Sequence, residues 1–222
     1  IKFLTRDEQR VFLETAKRSH NYNQYALILE TGLRTGEMIG LTWDAIDFQN
    51  RTLTVNKTLE YRHKQHFWRA GPPKTQQSYR TIPLTERAYE ILKEIKDKRP
   101  WQKESPLLSQ TLEYIDRRTG AISRLVMRDL VFINWRTGEP AKNSSYDTHL
   151  YKLCDEAGIE KFCMHALRHT YATRAIECGV QPKVLQKLLG HASIKTMMDR
   201  YVHVTSESLD QAVRQFESGR VS

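Results

Sequence analysis

The sequence predicts a mainly α-helical chain with a small antiparallel β-sheet, an α+β fold. Three observations predict it. Helix start and stop signals recur: Thr5, Thr85 and Pro182 at starts, and Gly32, Gly158, Gly179 and Gly190 at stops. Between them, apolar residues fall at helical spacing, as with Ala88, Ile91, Leu92 and Ile95. Alternation of the kind a strand shows is confined to residues 51–58 and 79–84.

Thr5-Arg6-Asp7-Glu8 is a capping box: the threonine hydroxyl can take the Glu8 amide and the Glu8 carboxylate can reach back, so a helix runs over 6–17. A second helix, rich in Tyr, Leu and Ile, covers 22–31 and stops at Gly32, and a short third one carries Met38, Ile39 and Leu41 inward. Residues 47–50, Asp-Phe-Gln-Asn, form a turn into the first strand at 51–58. The second strand, 79–84, returns after a loop holding Gly71-Pro72-Pro73-Lys74, and Thr85 caps a helix reaching 98. Residues 99–143 scatter Pro, Arg and Gly through short apolar patches such as Leu130-Val131-Phe132-Ile133 and predict no element. Helices follow at 145–157, 165–178 and from Pro182 to Gly190; Ser193 caps the segment leading to Tyr201, and 205–217 form a last amphipathic helix with Leu209, Val213 and Phe216 on one face. No internal repeat or low-complexity tract occurs, and 222 residues suffice for one domain of generous size or two small ones; the expectation adopted is a single domain over 1–222.

A domain of this size buries roughly 70% of its unfolded surface and needs no disulfide or metal staple. Hydrophobic (39%) and charged (27%) contents are those of an ordinary globular protein. The charge balance is not: 35 Lys and Arg against 26 Asp and Glu give +9, with a pI near 9.5. That excess favours a polyanionic partner, nucleic acid before an anionic membrane surface, or else marks only a basic solvated surface. Cys154, Cys163 and Cys178 are odd in number and lack C-x-x-C spacing, which argues against a zinc site or disulfide framework and fits a reducing, cytoplasmic compartment. No apolar run approaches the ~18–20 residues of a membrane helix, and no secretory signal opens the chain. Because it begins with Ile1 and passes straight into a helix signal, it is expected to be a fragment of a longer protein.

The chemistry-bearing residues are far apart in sequence. His165 and Arg168 stand three apart on one helix and share a face. They form either a structural pair with carboxylates or an anion site, in which the guanidinium fork takes two phosphate oxygens and the imidazole moves a proton. His169 points about 100° further around the helix and is read as structural. Arg34 lies in the tight Thr31-Gly32-Leu33-Arg34-Thr35-Gly36-Glu37 connection, where Glu37 can orient its guanidinium. From 61 to 84 the chain holds no acid but carries Arg62, Lys64, Arg69, Lys74 and Arg80 with Phe67 and Trp68 interleaved, either a solvated loop or a nucleic-acid finger. Tyr201 alone would be a packing residue. As a nucleophile its phenol, with an ordinary pKa of about 10, needs a proton acceptor and nearby cations, and Arg34, His165, Arg168 and His191 are the right types.

Taken together, Thr31 to Glu37, Pro73-Lys74-Thr75 with Arg80-Thr81-Ile82-Pro83-Leu84, His165-Ala166-Leu167-Arg168-His169-Thr170, Leu189-Gly190-His191-Ala192 and Tyr201 resemble the catalytic domain of tyrosine recombinases, of the integrase type carried by phages and conjugative transposons. The resemblance implies a roughly C-shaped, mainly helical domain with a three-stranded sheet. It implies Tyr201 as the nucleophile giving a 3′-phosphotyrosyl bond, Arg34 and Arg168 as clamps on the non-bridging oxygens, and His165 as general base. Lys74 would be the general acid toward the leaving 5′-oxygen, His191 a phosphate hydrogen-bond donor and Glu37 a supporting residue. No metal, nucleotide or other cofactor is implied. Double-stranded DNA would be the partner, contacted by Arg62, Lys64, Arg69 and Arg80. A homo-oligomer on DNA, tetrameric in the synapse, would form, with 205–217 packing either on a neighbouring protomer or on the chain's own body, an excisionase or host DNA-bending protein as accessory and a nucleoid-associated location in a bacterial or phage host. N-terminal core-binding and arm-binding domains would be missing from this fragment. Two alternatives are a type IB topoisomerase, which shares the chemistry without synapsis, and a non-catalytic DNA-binding regulator on the same scaffold.

Overall fold

Local capping chemistry sets the first helix. The structure is a computed structural model that describes residues 2–71, 78–98, 106–116, 118–134, 139–190 and Arg214. In it, Thr5 Oγ1 accepts the Glu8 amide at 3.1 Å while the Glu8 carboxylate accepts the Thr5 amide at 2.7 Å. Helix α1 (Arg6–Ala16) buries Phe12 and Ala16. Helix α2 (Tyr22–Thr31) is apolar nearly all round and sits in the core, with Tyr25, Ala26, Leu27, Ile28 and Leu29 all buried. It stops at Gly32, whose φ of 64° is the left-handed geometry that favours glycine. Helix α3 (Thr35–Ile39) starts three residues later, so the Gly32-to-Arg34 connection is short and both its flanks are fixed.

Beyond a 3₁₀ turn at Trp43–Ala45, strands β1 (Ile46–Asp47), β2 (Thr52–Val55) and β5 (Arg80–Pro83) form a three-stranded antiparallel sheet in the order β1-β2-β5. The expected 51–58 strand is therefore split. Its last residue, Thr58, begins β3 (Thr58–Arg62) in a second sheet, and at the break Lys57 Nζ donates to Thr42 Oγ1 at 3.1 Å. This second sheet joins β3 and β4 (Phe67–Gly71) to β6 (Thr111–Asp116) and β7 (Ile122–Val126) in the order β3-β4-β6-β7. The β4–β6 pairing is parallel. Residues 99–143, for which the sequence predicted no element, supply that β6–β7 hairpin, a short helix α5 (Pro106–Ser109) and a 3₁₀ turn at Met127–Asp129. Asp116 Oδ1 accepts the amides of Arg118 and Thr119 and Gly120 has a φ of 71°, which reverses the chain between the two strands. The apolar patch after it is core: Leu130, Val131 and Phe132 are buried, and the Val131 amide bonds Leu41 O at 2.9 Å.

Helix α4 (Glu86–Asp97), capped by Thr85 Oγ1 on the Ala88 amide, packs on α2. Helix α6 (Asn143–Ala157) ends at Gly158, and Asp147 on it caps the first amide of α7 (Met164–Glu177), the Met164 amide, at 2.8 Å. Helix α8 (Pro182–Leu189) has Pro182 in its first turn and ends at Gly190, φ 63°. The main core runs from Leu4 and Phe12 to Leu167, and a smaller cluster of Ala172, Leu185 and Leu189 joins α7 to α8. The segment after Leu4 is tied down by α7, with the Leu4 amide donating to Thr170 Oγ1 and Leu4 O accepting from Arg174 Nη2. The segment from Ser193 to Tyr201 and the helix expected at 205–217 lie outside the described residues, Arg214 excepted. No helix among the described residues is long and apolar enough to cross a membrane.

Candidate active site

Glu37 is the hub of the site. It stands at the third position of α3, and its Oε2 accepts the Arg34 amide at 2.9 Å, half of a capping box. Its other oxygen takes Arg34 Nη1 at 2.7 Å, the orienting contact that the spacing of the two residues suggested. Arg80 then grips both oxygens, Nη1 to Oε1 at 3.2 Å and Nη2 to Oε2 at 2.9 Å, and Arg168 Nη1 lies 3.9 Å from Oε2. Glu37 is 2% exposed. Burial pushes its carboxyl toward a higher pKa, but the hydrogen bonds and charge of Arg80, then the charges of Arg34 and Arg168, outweigh it and hold the group at about 2. Three guanidinium groups against one carboxylate leave a net +2 in a site largely shielded from water.

The same arginines hold the end of α8. Arg80 Nε donates to Leu188 O at 2.6 Å, Arg168 Nη2 to Leu189 O at 2.6 Å and Arg34 Nη2 to Gly190 O at 3.3 Å. Three consecutive carbonyls, the ones a helix leaves without internal partners, thus each take a guanidinium from a different element. Ser78 Oγ adds a bond to Gly190 O at 3.4 Å, and Arg168 Nη1 also donates to Gly32 O at 2.6 Å at the end of α2. The chain enters the His191 segment from this fixed carbonyl cluster.

Arg34 and Arg168, well separated in sequence, are therefore brought together with Glu37. They differ in access: the Arg34 side chain is 34% exposed and the Arg168 side chain 1%. His165 is exposed one turn before Arg168 on α7, its ring edge-on to the buried His169 at 4.5 Å. Arg80 corrects the sequence reading. Expected to contact DNA at the surface, it has a side chain 5% exposed and committed to Glu37, Ser78 O and Leu188 O. The signal was present in the alternation of β5, which puts Arg80 on the same face as core residue Ile82 while Thr81 and Pro83 face out. Ser78 was missed as well; a serine before a strand carries no distinguishing mark.

The β3–β4 hairpin packs on α3 through Leu59 and Glu60, which stand against Gly36 and Gly40, while its basic residues make other contacts. Lys64 is exposed, Arg62 pairs with Glu60 at 2.9 Å, and Arg69 stands directly across from Glu60. The hairpin is braced against α6: Lys142 Nζ sits 3.7 Å over the Tyr61 ring and Ser144 Oγ is 3.0 Å from His63 Nε2. Trp68, expected among the surface aromatics, is 5% exposed and packs edge-on against Tyr61. Lys74, His191 and Tyr201 lie outside the described residues.

Residues 2–208 match the phage integrase family, and the chain belongs to it. It is 29% identical over 215 residues to the transposase of transposon Tn916 from Enterococcus faecalis, covering 92% of this chain and 48% of that one. It is 30% identical over 205 residues to the tyrosine recombinase XerC of Bifidobacterium longum, again covering 92% and 48%. Among solved structures, the integrase of transposon Tn1549 in complex with circular intermediate DNA superposes with a TM-score of 0.75 at 25% identity, covering 96% of this chain and 66% of that one. The chain thus spans about half the length of the curated relatives it matches.

Proposed function

We propose that this chain is the catalytic part of a site-specific DNA recombinase that cuts and rejoins DNA through a 3′-phosphotyrosyl bond, integrating or excising a mobile element. The observation that carries this reading is the convergence of Arg34 and Arg168, with Arg80, on one buried carboxylate, leaving a net charge of +2. Such a site suits a phosphodiester whose charge grows in a pentavalent transition state, and losing one such donor typically costs on the order of 3–4 kcal/mol of barrier. Family membership and the DNA complex of the Tn1549 integrase support the same reading.

In this reading, Tyr201 Oη attacks phosphorus and passes its proton to His165. The bond to the 5′-oxygen breaks, Lys74 supplies that oxygen with a proton, and His191 hydrogen-bonds the phosphate. Arg34, the more exposed of the two clamps, meets the non-bridging oxygens, Arg168 adds its positive charge from its buried seat on Gly32 O and Leu189 O, and Glu37 holds Arg34 in place. Attack of a 5′-hydroxyl on the phosphotyrosine reverses the step and releases the phenol, so the bond energy is conserved. The basic β3–β4 hairpin, through Arg62, Lys64 and Arg69, follows the phosphate backbone. The active assembly is a homo-oligomer on double-stranded DNA, tetrameric in the synapse and assisted by an excisionase or DNA-bending protein, near the nucleoid of a bacterial or phage host.

The test is a nicked suicide substrate given to the full-length polypeptide. A covalent protein–DNA adduct that disappears in Tyr201→Phe is the expected result; an adduct that survives this change would refute the assignment of Tyr201. Synapsis and strand exchange between two duplexes separate a recombinase from a topoisomerase acting on one.

A further inference from the structure

Arg80 is a basic residue that β5 turns away from solvent, and its guanidinium is engaged on each nitrogen. Nη2 and Nη1 take the two oxygens of Glu37, Nη1 also donates to Ser78 O at 3.0 Å, and Nε donates to Leu188 O at 2.6 Å. It therefore touches both things that Arg34 touches: the carboxylate that receives Arg34 Nη1, and the run of α8 carbonyls whose third member receives Arg34 Nη2. An ionised carboxylate with 1% side-chain exposure must be compensated by cations. Arg168 stands 3.9 Å away and is itself held by two carbonyls, so without Arg80 the compensation would fall on Arg34.

We propose that Arg80 is a positioning residue for the cleavage reaction: by gripping both oxygens of Glu37 and the Leu188 carbonyl, it fixes the direction of the Arg34 guanidinium and the seat of the α8 end, leaving Arg34 available to a phosphate. This rests on the reading of the site as a phosphodiester-cleaving centre. Arg80 makes no contact with DNA in this scheme. It satisfies the buried carboxylate so that Arg34 need not.

The charged and titratable groups around Glu37 among the described residues are Arg34 before α3, Arg80 on β5 and Arg168 on α7, with Tyr171 on α7 beside the last two. Arginine keeps its charge throughout the accessible range, and burial raises the Tyr171 phenol further from titration. The His165 base on the same helix is common to the parent and its Arg80 variants, so a proton-linked change in the rate relative to the parent reports Glu37.

The experiment is single-turnover cleavage of the nicked substrate at saturating DNA, from pH 5 to 8, by the full-length protein and its Arg80→Met, Arg80→Lys and Arg80→Met/Glu37→Gln variants. DNA affinity and unfolding midpoint are measured for each. Arg80→Met is expected to cleave at least tenfold more slowly with its Kd within threefold of the parent. Its rate relative to the parent should recover as pH falls: with the Arg80 hydrogen bonds and charge gone, burial raises the Glu37 carboxyl, and protonating it releases Arg34. Adding Glu37→Gln should mimic that release, making the double variant faster than Arg80→Met at pH 8 and removing the pH dependence. Arg80→Lys, which keeps the charge and loses the fork, should be at least threefold slower with no such pH dependence. Cleavage by both Arg80 variants within twofold of the parent would overturn the proposal, as would a loss in Arg80→Met that neither low pH nor Glu37→Gln relieves. Should Arg80→Met fail to fold, Arg80→Lys decides: parental speed overturns the positioning role and a slower rate at unchanged Kd supports it. Failure of the underlying reading would show separately, as no adduct from the parent protein.

Discussion

Arg168 donates to the carbonyl of Leu189 across 2.6 Å, tying the middle of α7 to the last residue of α8. The same guanidinium reaches Gly32 O at the end of α2, so one buried side chain joins three helices. Arg168→Met would leave two buried acceptors unpaired and deprive Glu37 of a neighbouring cation. The expected loss of unfolding free energy is about 3–5 kcal/mol, the range for breaking a buried charged contact from one side. Urea titration of the two proteins measures it. A loss under about 1 kcal/mol would mean that the carbonyls find water or other donors.

Glu37 makes stability depend on pH in a defined window. Its folded pKa of about 2 is below its ordinary value of 4.5, so the stabilisation is fully present above about pH 4.5 and is lost as pH falls toward 2. At about 1.4 kcal/mol per unit, the contribution reaches about 3 kcal/mol. Acid titration of unfolding free energy should be steeper through this window in the parent than in Glu37→Gln. Parallel curves would show that Glu37 is not held ionised by its arginines.

Much of the framework was legible because its signals are local. The Thr5–Glu8 box, the Thr85 cap, Pro182 and the left-handed glycines at 32, 158 and 190 each act within one helical turn, and each stands where the sequence placed it. The second sheet was not legible, because the parallel β4–β6 pairing joins segments far apart in sequence and no turn chemistry announces it. The pairing of Arg34 with Glu37 followed from spacing alone. The burial of Arg80 required weighing strand alternation above charge, since a basic residue in a basic stretch reads as surface until its face is counted.

Gly32 and Gly158 provide a controlled comparison. Both have positive φ, 64° and 65°, so alanine carries a similar backbone cost of roughly 1–2 kcal/mol at either. At Gly158 a Cβ meets nothing within 4 Å, whereas at Gly32 it would stand 2.5 Å from Tyr171 Cδ1 and 2.8 Å from Leu189 Cδ2. Gly32→Ala should therefore cost a further ~1–3 kcal/mol for overpacking and displace the α8 end. Thermal unfolding should rank Gly32→Ala well below Gly158→Ala, and equal midpoints would show that Tyr171 and Leu189 give way freely.

Arg34→Lys tests the geometry of the exposed clamp. Lysine supplies a point charge in place of a planar fork, so it can pair with Glu37 or reach a phosphate but cannot do both in fixed geometry. Cleavage should fall by about 10²–10³-fold while DNA affinity changes little. Binding and single-turnover cleavage measured on the same preparation check this. A variant that cleaves normally would show that charge alone suffices at this position.

Salt dependence separates surface cations from buried ones. Lys64 is exposed and Arg62 and Arg69 are partly so, whereas Arg80 is satisfied inside the fold. Each phosphate neutralised adds about 0.9 to the slope of log Kd against log salt, so replacing a hairpin cation that contacts DNA lowers the slope by about 1. Lys64→Ala, Arg62→Ala and Arg69→Ala should each flatten the dependence and weaken binding to all sequences alike. Arg80→Met should leave the slope at its parental value, since its charge is already taken by Glu37. An Arg80→Met slope reduced by one phosphate would return Arg80 to the DNA surface. Unchanged slopes for all three hairpin variants would remove the β3–β4 hairpin from the proposed path of the duplex.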